Sequence, residues 1–332
     1  MFLLCAAILG PGGCNSAGKT GLTRFTYAQI HMGSRARIIL YAPDEPQARL
    51  AARAAYAKIA ELDSILSDYR QDSEISRLCA GEMGEVGEWT PISADLFRVL
   101  ERAEEISALT DGAFDCTIGP LSMLWRQARQ QGELPPPARL AEARSRVGWH
   151  LVRLDRDTRS AALDADGMRI DFGAIGKGYA ADRAVEVLRE LGISRCLVDF
   201  GGDIAAGDPP PGETVWRIEI ETGYGSGVRP VVLAARCGIA TSGDIEQAVA
   251  IGGQRYSHIL DPETGLGLTV PTAATVIAPD AATADALASA VCVLGPERTR
   301  EIIDNLPGIG VRLVVAGRVF RYGEAVEQIP ER

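Results

Sequence analysis

Apolar positions recur every three to four residues over 46–66, where Ala51, Ala55, Ile59, Leu62 and Leu66 share one face. That spacing predicts an amphipathic helix. A second helix is predicted from Ser93, an N-cap residue type, through SADLFRVLERAEEISALTDG to a stop at Gly112. Helical spacing also covers 178–191, stopped by Gly192, and TADALASAVCVLG, closed by Gly295, with ERTREIIDNL as a further helix. Residues 27–42 (YAQIHMGSRARIILYA) predict one strand with a glycine interruption. VRLDRDTRSAALD predicts a hairpin around Asp157, and MRIDFGA a third short strand. CLVDF and VWRIEIE predict strands parted by a Gly/Pro loop at 207–212; VVLAA, ATVIA and VRLVVAGRVF predict more. QGELPPP (131–137) reads as a loop on a proline run. Strands and helices mix without strict βαβ alternation, which favours an α+β fold over a doubly wound sheet.

Composition narrows the function classes. The chain has 332 residues, 46% apolar and 23% charged, enough to bury a sizeable core in one large domain or two smaller ones. Its net charge is -10, which argues against nucleic acid as a partner. A small anionic ligand needs only a local cationic pocket or a magnesium ion, so the charge leaves that open. There is no apolar run of about 18 residues, the length of a membrane-spanning helix. The seven cysteines form no CxxC pair, and three histidines leave little room for a His-based metal site.

The N-terminus carries two competing patterns. Phe2–Leu9 is apolar and is followed by small residues and Cys14, as in a bacterial lipoprotein signal whose cysteine is acylated. No basic residue precedes the run, and Pro11-Gly12-Gly13 is an unusual approach to such a cysteine. Residues 1–20 are therefore expected to be signal and linker, with the folded domain at 21–332. The same stretch holds a formal Walker A match, Gly13 to Thr20, with Leu197-Val198-Asp199 as a candidate partner strand. The residues after Thr20 lack the helical period that a phosphate-binding loop requires.

Four glycine-rich polar clusters hold the candidate chemistry: 110–120, 171–182, 199–203, and 240–244 with 257–265. In the second, a strand is expected to end at Asp171 and a helix to begin near Lys177. Helix-start amides and a lysine suit a phosphate group, and equally describe a tight strand-to-helix turn. Asp285 and Ser289 lie four apart, hence on one helix face. Carboxylate and hydroxyl are hard oxygen donors suited to Mg²⁺, although the pair also fits a helix-start aspartate beside a small packing residue. Tyr69 fits either a stacking platform for a flat ring or a lid on the core. His258 is the histidine set in a polar loop, Ser-His-Ile-Leu-Asp-Pro.

In order along the chain, SDYRQDSEISRL (67–78), DGAFDCTIGPL (111–121), IDFGAIGKGYAADRA (170–184), LVDFGGDI (197–204), IATSGD (239–244), SHILDPETG (257–265) and TVIAPDAATADALASAVCVLG (275–295) resemble the FAD:protein FMN transferase (ApbE) family. The resemblance spans about residues 27–320. It implies an α+β fold of mainly antiparallel sheets packed with helices, with FAD in a central cleft. It implies an Mg²⁺-dependent enzyme that moves FMN from FAD to a Thr or Ser hydroxyl of an acceptor protein and releases AMP. The implied acceptors are flavoprotein subunits of membrane redox pumps or of exported reductases, and the implied location is the bacterial periplasm, as an inner-membrane lipoprotein anchored at Cys14. Carried over by position, Met32, Tyr69, Ala113, Phe114 and Asp115 would line the FAD site. Asp171, Lys177 and Leu260 would contact the nucleotide. The Ala174 carbonyl, Asp285 and Ser289 would hold Mg²⁺, and His258 would sit by the reacting phosphate. Two departures stand out: Ser289 replaces a usual threonine, and Asp199-Phe200 a usual Asn-Leu. The competing expectations are an FAD pyrophosphatase, a flavin-binding lipoprotein without catalysis, and a P-loop NTPase.

Overall fold

The computed structural model describes residues 21–220, 230–244 and 248–328. Cys14, the lipoprotein signal and the Walker A match lie outside the described residues. The centre is one eight-stranded sheet: β1 (Thr23–His31), β2 (Ser34–Ala42), β3 (Cys196–Phe200), β4 (Asp203–Ala206), β5 (Cys237–Gly243), β6 (Thr272–Ala278), β7 (Gly310–Val315) and β8 (Arg318–Tyr322). The strands stand side by side in chain order, and every pair is antiparallel. The α+β expectation therefore holds, with helices and loops inserted between successive strands.

Three long helices cover one face: α1 (Glu45–Leu66), α4 (Gly176–Glu190) and α5 (Ala281–Ile303), with α2 (Ala94–Leu109) packed against α1 and α5, while α3 (Gly119–Gln131) buries its apolar side in a smaller separate core. The periodic face of α1 is buried as its spacing demands, Ala55, Ile59 and Leu62 at 0% exposure. It joins Ile38, Leu40, Val198 and Phe200 of the sheet and Ala181, Ala184 and Leu188 of α4 in one core. A small hairpin, Trp216–Glu219 paired with Val231–Ala234, closes the other face over Ile39, Leu197, Ile204 and Ile239. Among the described residues, no helix is long and apolar enough to cross a membrane.

Several expected elements take another form. The stretch 27–42 is two strands, because Met32 and Gly33 both adopt positive φ (45° and 69°) and pair His31 with Ser34 across a two-residue turn. That turn geometry matches the right-handed twist of the flanking strands. MRIDFGA forms no strand; it meets its neighbour through an isolated bridge between Arg169 and Ile118 and the Asp171 N–H bond to the Cys116 carbonyl. Pro120 and Pro137 sit in the first turns of helices, α3 and Pro137–Arg144, where a missing N–H costs nothing. The 281–306 region does break where expected, since Gly295 (φ 70°) kinks α5.

The start of α5 is pinched from two sides. A Cβ on Gly178 would lie 2.2 Å from the Ala281 carbonyl oxygen, and one on Gly238 would lie 2.2 Å from the Asp280 backbone. Glycine lets α4 and β5 close on α5 from two sides. Gly238→Ala is expected to force these backbones apart and cost about 1–3 kcal/mol. A urea unfolding midpoint unchanged from wild type would contradict this packing.

Candidate active site

The pinch at Gly178 and Gly238 fixes the first turns of α5, and α4 caps them. Asp182 on α4 accepts from the Ala281 and Ala282 N–H groups at 2.9 Å each, and Asp280 accepts from Thr283 N–H at 2.8 Å. Burial pushes the Asp182 carboxyl up to about 7. One turn further along, Asp285 is 2% exposed, and its Oδ2 accepts from the Gly178 N–H at 3.1 Å. Gly178 is in the first turn of α4, where an N–H has no partner within the helix, and Asp285 supplies one.

Lys177 completes the centre. Its Nζ forms an ion pair with Asp203 Oδ2 and lies 3.8 Å from Asp285 Oδ1. Burial disfavours the ammonium, but the Asp203 and Asp285 carboxylates outweigh it and hold Lys177 above its usual range. Burial, reinforced by the neighbouring Asp285 charge, pushes Asp203 up to about 7 despite the lysine. Burial also raises Asp285, against the pull of Lys177 and the Gly178 N–H. Asp203 follows the Gly201-Gly202 turn between β3 and β4. A Cβ on Gly201 would touch Ser34 at 3.3 Å and Lys177 at 4.0 Å, so the Met32 turn borders this centre.

Ser289 lies on the face of Asp285, and its Oγ is 2.9 Å from the Ser242 hydroxyl on β5. Among the described residues, no three His, Cys, Asp or Glu side chains gather as metal ligands. A cation here would therefore rely on hydroxyl and carbonyl oxygens as well as carboxylate. Asp285 and Ser289 supply two such hard oxygens, and the Ala174 carbonyl that the resemblance adds would be a third, a donor chemistry that suits Mg²⁺.

The other expected site residues divide into two groups. Asp171 and Tyr69 come together around Arg126: its Nη2 is 3.1 Å from Asp171 and 2.8 Å from Asp68, and its guanidinium lies 4.3 Å from the Tyr69 ring centroid. Asp115, Phe114 and Leu260 are turned inward. Asp115 Oδ1 accepts from the Thr117 N–H and hydroxyl, and Oδ2 from the Trp149 N–H, which ties two loops together. Phe114 is in the main core, with Ala113 packed against it. Leu260 packs with Leu121, Leu124 and Trp125 in a smaller core. These three leave mainly backbone to a ligand.

His258 is partly buried, and its Nδ1 has no hydrogen-bond partner. Burial lowers its pKa, helped by the Arg129 and Lys177 charges and opposed by Asp244. The imidazole is thus neutral at pH 7, with an unengaged ring nitrogen. Asp203, Arg126, Asp182 and Ser242 received no role from the sequence. Asp182, Asp203 and Ser242 sit inside motif clusters, and there the pairing partner was the missing signal. Arg126 lies in no motif, so nothing marked it.

The structural departures at 199 and 289 have local explanations. Asp199 pairs with Arg37 at 2.8 Å across the β2–β3 register and accepts from the Gly202 N–H at 3.0 Å, while Phe200 is fully buried.

The sequence profile of the ApbE family matches residues 32–313. A FAD:protein FMN transferase of Treponema pallidum is 30% identical, covering 96% of this chain and 91% of the relative. One from Salmonella typhimurium is 31% identical, covering 91% and 88%. The Pseudomonas stutzeri flavinyl transferase ApbE structure in its apo form superposes with a TM-score of 0.80 at 30% identity, covering 93% of this chain and 97% of that one. The flavin transferase ApbE from Vibrio cholerae gives 0.82 at 26% identity, covering 93% and 100%. With a family profile over most of its length and relatives matched nearly end to end, this chain belongs to the ApbE family.

Proposed function

We propose that this chain is a Mg²⁺-dependent FAD:protein FMN transferase. It attaches FMN from FAD through a phosphoester bond to a Thr or Ser hydroxyl of an acceptor flavoprotein and releases AMP. The observation that carries the reading is the buried Lys177–Asp203–Asp285 centre with Ser289 beside it, in a chain whose relatives bear that activity in their names.

Each residue then has a chemical task. A lysine ammonium has three donors; one faces Asp203 and one Asp285, which leaves a third for the pyrophosphate of FAD. Asp285, Ser289 and the Ala174 carbonyl would hold Mg²⁺, which when bound neutralises phosphate charge. Phosphoryl transfer depends on such positioning and neutralisation more than on covalent chemistry. Tyr69 offers its exposed ring to the flavin. His258, neutral at pH 7, accepts the proton of the incoming hydroxyl through the ring nitrogen other than the buried Nδ1. The acceptors that suit this chemistry are flavoproteins of membrane redox pumps or exported reductases. The reading extends to export into the bacterial periplasm with a lipid on Cys14, supported by the apolar run before that cysteine.

Incubating the protein with FAD, Mg²⁺ and a flavodomain carrying a modifiable threonine is expected to yield in-gel fluorescent acceptor and free AMP. EDTA is expected to stop both. AMP without labelled acceptor would replace transfer by hydrolysis, and FAD binding without AMP would leave a carrier. Asp285→Ala is expected to lower transfer at least about 10²-fold, as loss of a preorganised charge-stabilising group does. Wild-type transfer by this variant would remove the metal assignment.

His258→Ala is expected to cost about 10²-fold or more. Because the basic form of His258 is the active one and its pKa is lowered, transfer should hold at pH 6.5, the group's ordinary value, and fall only below it. An acid limb at or above that pH, or one that persists in His258→Ala, would assign the base to another group.

A further inference from the structure

Arg126 has a place in this site that the family reading does not supply. It lies on α3, whose start is fixed by backbone. Gly119 approaches so closely that a Cβ there would lie 2.5 Å from the Arg169 carbonyl oxygen. Ile118 and Arg169 form a parallel bridge, and the Asp171 N–H donates to the Cys116 carbonyl at 2.7 Å. The helix carrying Arg126 and the segment carrying Asp171 are thus locked together. Asp68 and Tyr69 come from a third segment, the turn after α1. That turn is tied down where Ser73 Oγ donates to the Ser67 carbonyl at 2.7 Å.

The guanidinium joins all three. Its Nη2 reaches Asp68 at 2.8 Å and Asp171 at 3.1 Å, and its Cζ lies over the Tyr69 ring, 4.3 Å from the centroid. Tyr69 is 77% exposed. A ring that open has little packing to fix its rotamer. The cation on one face supplies the constraint and leaves the other face clear for a planar ligand.

We propose that Arg126 is a positioning residue, clamped by Asp68 and Asp171, that sets Tyr69 and Asp171 for the flavin end of FAD. The proposal rests on the transferase reading, in which Tyr69 stacks on the flavin. Its action is on binding: it touches the residues that meet FAD and not the phosphate centre at Lys177. Lysine cannot replace it, because a compact ammonium that meets both carboxylates does not also present a broad, weakly hydrated cationic face to the Tyr69 ring.

The test is an FAD titration of the full protein, followed by quenching of flavin fluorescence, together with transfer kinetics. The variants are Tyr69→Ala, Arg126→Ala, Arg126→Lys, Arg126→Gln, Asp68→Asn and the Tyr69→Ala/Arg126→Ala double. Arg126→Ala is expected to raise the FAD Kd and KM about tenfold, the scale of one lost ring stack, with kcat changed less than about threefold. Quenching should weaken as in Tyr69→Ala, Arg126→Lys should not rescue it, and the double variant should be no worse than Arg126→Ala alone. Asp68→Asn, which loosens the clamp, should fall between. Thermal melts identify any variant that fails to fold, and Arg126→Gln, which keeps most of the stem, then stands in for alanine. Wild-type FAD affinity and quenching in Arg126→Lys and Arg126→Gln, with Tyr69→Ala impaired, would overturn the proposal alone. Unchanged quenching in Tyr69→Ala would overturn the stacking reading and the proposal with it.

Discussion

The site depends on how closely α4 can approach the start of α5. Gly178 faces the Ala281 carbonyl with no room for a side chain, and two turns of charge follow from that contact. Asp182 reaches the first two amides of α5 because its helix is so near, and the Gly178 N–H reaches Asp285 for the same reason. Capping at a helix start is ordinary chemistry. Here Asp182 of a neighbouring helix adds to the cap that Asp280 provides, so it fixes the relative position of Lys177 and Asp285, which sit on those two helices.

That geometry creates an electrostatic problem which either a proton on one carboxylate or a further positive charge resolves. Lys177 is shared by two buried carboxylates, and both carboxylates are pushed up by burial. One ammonium against two carboxylates leaves the centre with a surplus of negative charge when all are ionised. Buried ion pairs seldom maximise stability, since desolvation costs offset the attraction. An arrangement of this kind is reasonable where function requires it. On the proposed reading, a divalent cation on Asp285 and Ser289 would remove the surplus, and a pyrophosphate would then find a cationic seat in a protein of net charge -10.

Much of this was legible from residue order, and the reasons for the exceptions are physical. The faces of α1 and α4 could be read because burial imposes a period on the chain. Asp171, Lys177, Asp285 and Ser289 stood out because helix starts and i,i+4 spacing have chemical meaning. The turn at Met32-Gly33 was hidden because either residue type also occurs within strands; only the two positive φ angles reveal the hairpin. Pro137 read as part of a loop, although proline starts a helix as readily as it stops one. Asp203 and Arg126 owe their roles to partners 26 and 45 residues away, Lys177 and Asp171, and no local pattern encodes such a pairing.

Ser289 shows how a site can keep its geometry while its sequence drifts. Threonine would fix its hydroxyl through the stiffness of a β-branched side chain. Serine lacks that restraint, but the Ser242 hydroxyl on β5 lies 2.9 Å away and can hold it by a hydrogen bond. Asp199 follows the same logic, since its added charge is matched by Arg37 on the adjacent strand. In both cases the compensation comes from a neighbouring element of the central sheet, β5 for Ser289 and β2 for Asp199. The sheet therefore does more than carry the core: its register determines which substitutions the site can absorb without moving a donor oxygen.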